Sequence, residues 1–150
     1  MTTKAAQETL STMLIQQWEQ TNEKIATMAE DFPESEYEFQ PNDDVRSFGA
    51  VLRHLAFWNQ YVADAVRGLE PDGAANELPL AGYSNNTQIA AALRGSAAEA
   101  ATALREKAAT DLKLAELCVT FLQHTSEHYG QLVVYYRLRG IVPPASRAEG

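Results

Sequence analysis

HTSEHYGQLVVYYRLRG, residues 124–140, combines a helical pattern of apolar residues with two histidines one helical turn apart. Residues four apart lie on the same face of a helix, so His124 and His128 point in the same direction. The sequence after Gly140 contains two adjacent prolines and cannot continue a helix. The stretch therefore predicts the end of a long helix, which begins after an Asp111 cap and ends at Gly140.

Steps of alternately three and four residues trace one stripe along this helix. Its members are Leu114, Leu117, Phe121, His124, His128, Gln131, Tyr135 and Leu138. Both ends of the stripe are apolar, but its centre is polar, so two imidazoles occupy positions where a bundle core usually has leucine. A buried polar group without a partner costs a few kcal/mol. The pattern therefore requires partners, which are either other core groups or a bound ion.

Three further helices complete the predicted fold. The first runs from about Thr3 to Asp31, the second begins at a Ser47 cap and stops at Gly68, and the third runs from Asn85 or Asn86 to about Lys107. The apolar positions expected to face the core from the first helix are Leu10, Met13, Leu14, Trp18, Ile25 and Met28. Four helices in residues 1–150 predict an all-α, single-domain four-helix bundle. Two long loops, 33–46 and 69–83, indicate crossover connections or a covered site.

The composition limits the binding partners and the cell compartment that can be expected for this protein. Acidic residues outnumber basic ones by 20 to 12, for a net charge of −8, which disfavours a nonspecific grip on nucleic acid or on anionic membrane. We expect no membrane span, because no apolar run approaches about 20 residues. The N-terminus lacks the apolar core of a secretion signal, which predicts a cytoplasmic protein. The single cysteine, Cys118, excludes an internal disulfide and is expected to be a buried, inert thiol.

His54 is the third histidine of the chain and lies on the inward edge of the second helix. Two imidazoles from one helix and one from a neighbouring helix can converge on a metal, at about 2.0–2.1 Å per nitrogen. Three protein ligands leave a position for water or substrate, which is typical of catalytic sites. The alternative is that His54, His124 and His128 are polar core residues that satisfy one another. Zinc, nickel, iron and manganese all remain possible metals.

Three further residues are candidates for the pocket around this site. Glu127 lies between the two histidines of the fourth helix, Gln131 continues their stripe by one turn, and Tyr61 follows His54 by two turns. Glu127 could orient a ligand or serve as a base, Gln131 could bind the metal's water or the substrate, and Tyr61 could line the pocket. The alternatives are a solvated or interface residue for Glu127, a satisfied core amide for Gln131 and a packed aromatic residue for Tyr61. Trp58, by contrast, is expected to be an anchor of the apolar core.

Three segments resemble the DinB-like family of metalloenzymes: VRSFGAVLRHLAFWN (45–59), DFPESEYEFQP (31–41) and HTSEHYGQLVVYYRLRGIVPPAS (124–146). The resemblance implies a four-helix bundle in which His54, His124 and His128 bind a divalent metal such as zinc or nickel. It also implies a homodimer. Tyr129, Tyr135 and Tyr136 give this minor support, since three aromatic residues so close together are not all expected to face one core. Some similar proteins are transferases that use a low-molecular-weight thiol, namely bacillithiol or mycothiol.

The function predicted from these features is a metal-dependent transferase or hydrolase that acts on a small molecule. The metal would lower the pKa of a bound thiol or water, which then attacks an electrophile. The thiol would come from a cofactor, since Cys118 lies off the histidine stripe. Two alternatives are a noncatalytic, stress-associated bundle that binds a metal or a ligand, and a structural bundle with stacked histidines.

Overall fold

The computed structural model describes residues 4–107 and 111–148, and within them it confirms the all-α four-helix bundle. The helices are α1 (Lys4–Asp31), α2 (Phe48–Val66), α3 (Asn86–Lys107) and α4 (Leu112–Leu138). The expected start of the first helix at Thr3 and the link at 108–110 lie outside the described residues. None of the described helices combines the length and the apolar character needed to cross a lipid bilayer.

The predicted helix caps form as hydrogen bonds. Side-chain oxygens of Ser47, Asn85 and Asp111 each accept a backbone N–H of the following helical turn, at 2.9–3.2 Å, which satisfies donors that the helix itself leaves free. Gly68 and Gly140 follow α2 and α4 with φ values of +85° and +71°, a conformation that glycine adopts without strain.

The order of the helices around the bundle brings α2 beside α4, as the histidine positions require. α1 packs against α3 and α4, and α2 packs against α3 and over a shorter stretch against α4. The pairs α1–α2 and α3–α4 lie across the diagonals of the bundle. The shorter contact between α2 and α4 leaves room for a cavity between them.

The buried apolar residues form two clusters along the bundle. One contains stacked aromatic rings, with Phe32 and Phe48 at 3.8 Å between centroids and Tyr136 beside both. The other is built on Trp18 and includes Leu104. Removal of this apolar area from water is the main stabilising contribution to the fold.

The stripe predicted to face the core from α4 is only partly buried. Tyr135 is buried as expected, and Leu114, Leu117 and Phe121 pack against the core cluster around Trp18. His124 and His128 are half-buried, and Leu138 is 57% exposed. The other fully buried residues of α4 are Cys118, Thr125, Leu132 and Tyr136, so the centre of the buried face lies about one residue further along the chain.

The inward face of α1 also differs from the prediction in its first turns. Trp18, Ile25 and Met28 are buried as expected, but Leu10 and Met13 are 57% and 56% exposed. The residues that face inward include the polar Ser11 and Asn22, together with Ile15. The prediction used only apolar residues, so it did not identify an inward face that includes buried polar side chains.

The tyrosines of α4 do not support an intersubunit contact. Tyr135 and Tyr136 are both buried in the aromatic cluster, and Tyr129 packs against it. Tyr136 donates its hydroxyl to the Met28 carbonyl (3.0 Å), whereas Tyr135 donates to the Arg46 carbonyl (2.6 Å). Neighbouring tyrosines thus fill one core by turning to opposite sides, so the argument that they cannot share a core is wrong.

Candidate metal centre

All three histidines of the chain come together between α2 and α4. His54 comes from α2, and His124 and His128 come from successive turns of α4. The ring centroids lie 5.1 Å apart for His54 and His124, 4.8 Å for His54 and His128, and 4.7 Å for His124 and His128. One potential ligand atom of each ring lies within 4.8 Å of the other two.

A loop carbonyl fixes the orientation of the His54 ring. The His54 Nδ1 lies 2.7 Å from the carbonyl oxygen of Asn76. A carbonyl can only accept a hydrogen bond, so the proton of the neutral ring lies on Nδ1 and Nε2 keeps a free lone pair. This lone pair points toward the other histidines, since Nε2 of His54 is 3.0 Å from Nε2 of His124.

A relay of three hydrogen bonds orients His128 in the same way. The Tyr135 hydroxyl must donate to the Arg46 carbonyl, so its oxygen accepts from Nε2 of Gln131 at 2.8 Å. The Oε1 of Gln131 then accepts from Nδ1 of His128, also at 2.8 Å. The backbone carbonyl thereby sets the direction of the whole relay, in which Nδ1 is the ring nitrogen of His128 that donates to Gln131.

The geometry of the cluster fits a divalent metal with nitrogen ligands. Two nitrogens that each lie about 2.0–2.1 Å from one ion are roughly 3 Å apart, which is the separation of the His54 and His124 Nε2 atoms, 3.0 Å. Imidazole nitrogen is a good ligand for zinc and nickel. A histidine that binds a metal usually donates a hydrogen bond from its other ring nitrogen, which fixes the orientation of the ring. His54 and His128 both make such a hydrogen bond through Nδ1.

Burial keeps two of the imidazoles neutral near pH 7. Burial is the main cause that lowers the pKa of His54. Burial, together with the charges of His128 and His54, lowers the pKa of His124 to about 4. A histidine must be neutral to bind a metal, so this environment favours ligation over protonation.

A cavity of about 380 Å³ opens from the histidines to solvent. Its lining residues are His54, Trp58, Asn76, Phe121, His124 and His128. The volume suits a small molecule. A ligand that enters this cavity reaches the imidazole rings directly.

The expectation that Trp58 anchors the core is wrong. Trp58 is half-buried and forms a wall of the histidine cavity, where its Nε1 donates to Oδ1 of Asn76 at 2.8 Å. The core tryptophan is Trp18, which is 1% exposed and donates to Oγ1 of Thr125 at 2.9 Å. The indole N–H of each tryptophan donates a hydrogen bond, but only that of Trp18 is buried inside the bundle.

The three pocket candidates have different positions. Gln131 contacts His128 and supports its orientation, although it does not line the cavity. Tyr61 lines a neighbouring cavity and packs against Trp58 at 4.8 Å between centroids, so it reaches the histidines only through Trp58. Glu127 is exposed and is not among the residues that line the histidine cavity.

Cys118 lies away from the site, in the core cluster around Trp18. It is 3% exposed, and burial raises its pKa to about 11. The thiolate is the reactive form of cysteine, so the expectation of a buried thiol is confirmed and its nucleophilicity at neutral pH is low.

Asn76 is the residue of the site that the sequence did not reveal. It contacts both His54 and Trp58, and its φ of +57° is the one positive value among the described residues other than glycine. Glu77, the next residue, pairs with Arg46 and Arg53 at 3.4 and 3.2 Å and ties the loop to α2. The available signals were the length of this loop and the tolerance of asparagine for the left-handed conformation.

The fold and the site together define a four-helix bundle with an open cluster of three histidines. The chain matches the family model of the DinB superfamily over residues 17–132 and belongs to that superfamily. The matched span includes all three histidines and ends before the Gly-Ile-Val-Pro-Pro segment at 140–144. No curated protein and no solved structure matches the chain.

Proposed function

We propose that His54, His124 and His128 hold one divalent metal ion, with zinc or nickel as the first choices. The observation that carries the proposal is the convergence of every histidine of the chain on one cavity, with ligand atoms within 4.8 Å of one another. Membership of the DinB superfamily is compatible with it. The Nδ1 hydrogen bonds of two of the rings support it further, because they make Nε2 the nitrogen through which His54 and His128 could bind a metal.

We further propose that the centre is catalytic and that it activates a small external thiol for transfer to an electrophile. A bound divalent cation lowers the pKa of a thiol, so that the thiolate forms at neutral pH without a dedicated base. The chain's own residues hold the imidazoles in position: Asn76 fixes His54, and Gln131 fixes His128. Trp58 and Phe121 shield one side of the cavity from water.

The lining of the cavity favours thiol transfer over hydrolysis. Among the described residues, none of those that line it is a carboxylate that could take a proton from water. A free thiol has a pKa near 8.5, whereas that of bulk water is about 15.7, so the thiol needs much less activation. Because burial holds the Cys118 pKa at about 11, the thiol must come from outside the chain.

The test of the proposed reaction is a panel of thiols with an aromatic chloronitro electrophile. Metal-free and zinc- or nickel-loaded proteins are compared with glutathione, bacillithiol and mycothiol. We expect conjugate formation with the loaded protein and a thiol, and none after chelation. His128→Ala should abolish turnover, whereas the matched control Cys118→Ser should stay within a few-fold of wild type.

Two results contradict this mechanism: turnover that survives removal of the metal, and turnover lost in Cys118→Ser with the metal still bound. Metal binding without turnover with any thiol would favour the noncatalytic binding bundle instead.

We also propose a homodimer, on the family resemblance alone, since the tyrosines of α4 no longer support it. Light scattering at micromolar concentration should give twice the chain mass of 16.5 kDa. A mass of one chain contradicts the proposal.

A further inference from the structure

We infer that the histidine cavity favours ligands that carry a flat, apolar and uncharged group next to the reacting atom, and that Trp58 imposes this preference. The inference rests on the proposed metal centre for the place where the reacting atom binds. The surface that selects the rest of the ligand is formed by Trp58 and Phe121, the aromatic wall of the cavity.

The aromatic wall stands directly beside the histidines. The Trp58 and Phe121 rings lie 6.1 Å apart between centroids, tilted by 36°, and both are half-buried. Their centroids are 6.4 and 5.8 Å from that of His124. A ligand whose reacting atom reaches the imidazoles therefore places its next ring-sized group against this wall. Aromatic rings in such contact attract one another beyond the contribution of the apolar area that they bury.

Trp58 is held in place from several sides. Asn76 accepts its indole N–H at 2.8 Å, and the Tyr61 ring packs against it at 4.8 Å. The backbone of Gly73 lies so close that a Cβ at that position would come within 3.0 Å of Cη2 of Trp58. A wall that is already fixed before a ligand arrives loses little conformational entropy on binding, which favours affinity.

Apart from the proposed metal, the cavity offers no counter-charge for an ionised group on the part of the ligand that does not bind the metal. Among the described residues, none of those that line it is acidic, lysine or arginine. The charged groups beside it pair with one another, since Glu77 contacts Arg46 at 3.4 Å and Arg53 at 3.2 Å. A carboxylate brought against Trp58 and Phe121 would lose hydration without gaining a partner.

The inference is tested by measuring the equilibrium binding of three thiols. They share the thiol group and differ in the remainder of the molecule. They are benzyl mercaptan, which is flat and apolar, 2-mercaptoethanol, which is small, and 4-(mercaptomethyl)benzoate, which adds to the benzyl ring a carboxylate too far from the thiol to chelate the zinc. Calorimetric titration of the zinc-loaded protein should give benzyl mercaptan at least a tenfold lower Kd than 2-mercaptoethanol. 4-(Mercaptomethyl)benzoate should bind less tightly than benzyl mercaptan.

Substitutions test whether the aromatic wall causes the preference for benzyl mercaptan. Trp58→Ala should bring the ratio of the benzyl mercaptan and 2-mercaptoethanol affinities close to one. Tyr83→Ala is the matched control, because Tyr83 is a half-buried aromatic residue that does not line the cavity, and it should keep the ratio. If Trp58→Ala fails to fold, Asn76→Gly is the milder test. It accepts the positive φ and keeps the carbonyl that holds His54, but it releases Trp58 and should lower the ratio.

A thiol-free probe on metal-free protein separates this inference from the metal proposal. The chain has two tryptophans, and benzyl alcohol should shift the indole N–H resonance of Trp58 but not that of buried Trp18. If zinc does not bind and this shift is still observed, the metal proposal fails and the aromatic wall stands. If zinc binds, equal affinities for benzyl mercaptan and 2-mercaptoethanol overturn the inference. Tighter binding of 4-(mercaptomethyl)benzoate than of benzyl mercaptan also overturns it.

Discussion

Two adjoining faces of α4 share one helix and have opposite roles. The core face carries Thr125 and Leu132, both 1% exposed or less, and it packs against the rest of the bundle. The cavity face carries His124, one position before Thr125, and His128, one helical turn further on, and both are half-buried. Successive residues of a helix are rotated by about 100° around its axis. Neighbouring positions of α4 can therefore differ in role: some stabilise the fold, and others present ring nitrogens to a ligand.

The largest expected effect on stability comes from the core face. Leu132→Ala removes a side chain that is 0% exposed and leaves a cavity, so it should lower the free energy of unfolding by about 2–5 kcal/mol. His128→Ala, on the half-buried cavity face, should cost the metal-free protein less than about 1 kcal/mol. Urea unfolding of the two metal-free variants measures both values. Similar losses would show that the two faces do not differ as described.

The two tryptophans extend the same comparison to hydrogen bonds. Thr125→Val keeps the shape of the side chain but removes the acceptor of the buried Trp18 indole N–H. The unsatisfied donor should cost about 1–3 kcal/mol in urea unfolding. Asn76→Gly removes the acceptor of Trp58, but water can reach this half-buried indole, so we expect a smaller loss. A larger loss in Asn76→Gly would contradict the assignment of Trp18 to the core and Trp58 to the cavity wall.

The prediction from sequence succeeded where local signals decide the structure. The Ser47 and Asp111 caps and the glycines after α2 and α4 set the helix ends, and these features depend on a few neighbouring residues. The grouping of His54 with the α4 histidines followed from three polar positions on helical faces and from the family resemblance. The structure adds the distances within that grouping, since one possible ligand atom of each ring lies within 4.8 Å of the other two.

The prediction failed where distant residues decide which face is inside. Leu138 looks like core but is 57% exposed, whereas Thr125 is buried because Trp18 supplies its partner from α1. Asn76 acts through its backbone carbonyl and a left-handed φ of +57°, and neither is visible in a residue type. The spacing of residues along one helix does not show which distant residues will contact it.

The relay behind His128 should affect metal affinity more than stability. Gln131→Leu removes the acceptor of the His128 Nδ1 proton, and loss of such a supporting hydrogen bond typically weakens metal binding by 10–100-fold. We expect about a tenfold weaker zinc affinity in calorimetry. Glu127→Gln, an exposed neutral control on the same helix, should bind zinc as wild type does. Unchanged affinity in Gln131→Leu would mean that the relay does not support a ligand.

The pH dependence of the metal-free protein tests the environment of His124. The folded state lowers the pKa of His124 from 6.5 to about 4, mainly by burial, so between these values the unfolded chain binds more protons than the folded one. Stability should therefore fall as the pH falls from 7 to 5. His124→Gln should show a shallower dependence in urea unfolding at the two pH values. Equal dependence in both proteins would contradict a buried, neutral His124.

The most direct measurement is a calorimetric zinc titration of metal-free protein purified without an affinity tag. The account predicts one zinc per chain for wild type and strongly weakened binding for His54→Ala, His124→Ala and His128→Ala. Gln123→Ala, an exposed neighbour of His124, should match wild type. Wild-type stoichiometry and affinity in any of the three histidine variants, or no zinc binding by wild type, would contradict a metal centre at these histidines.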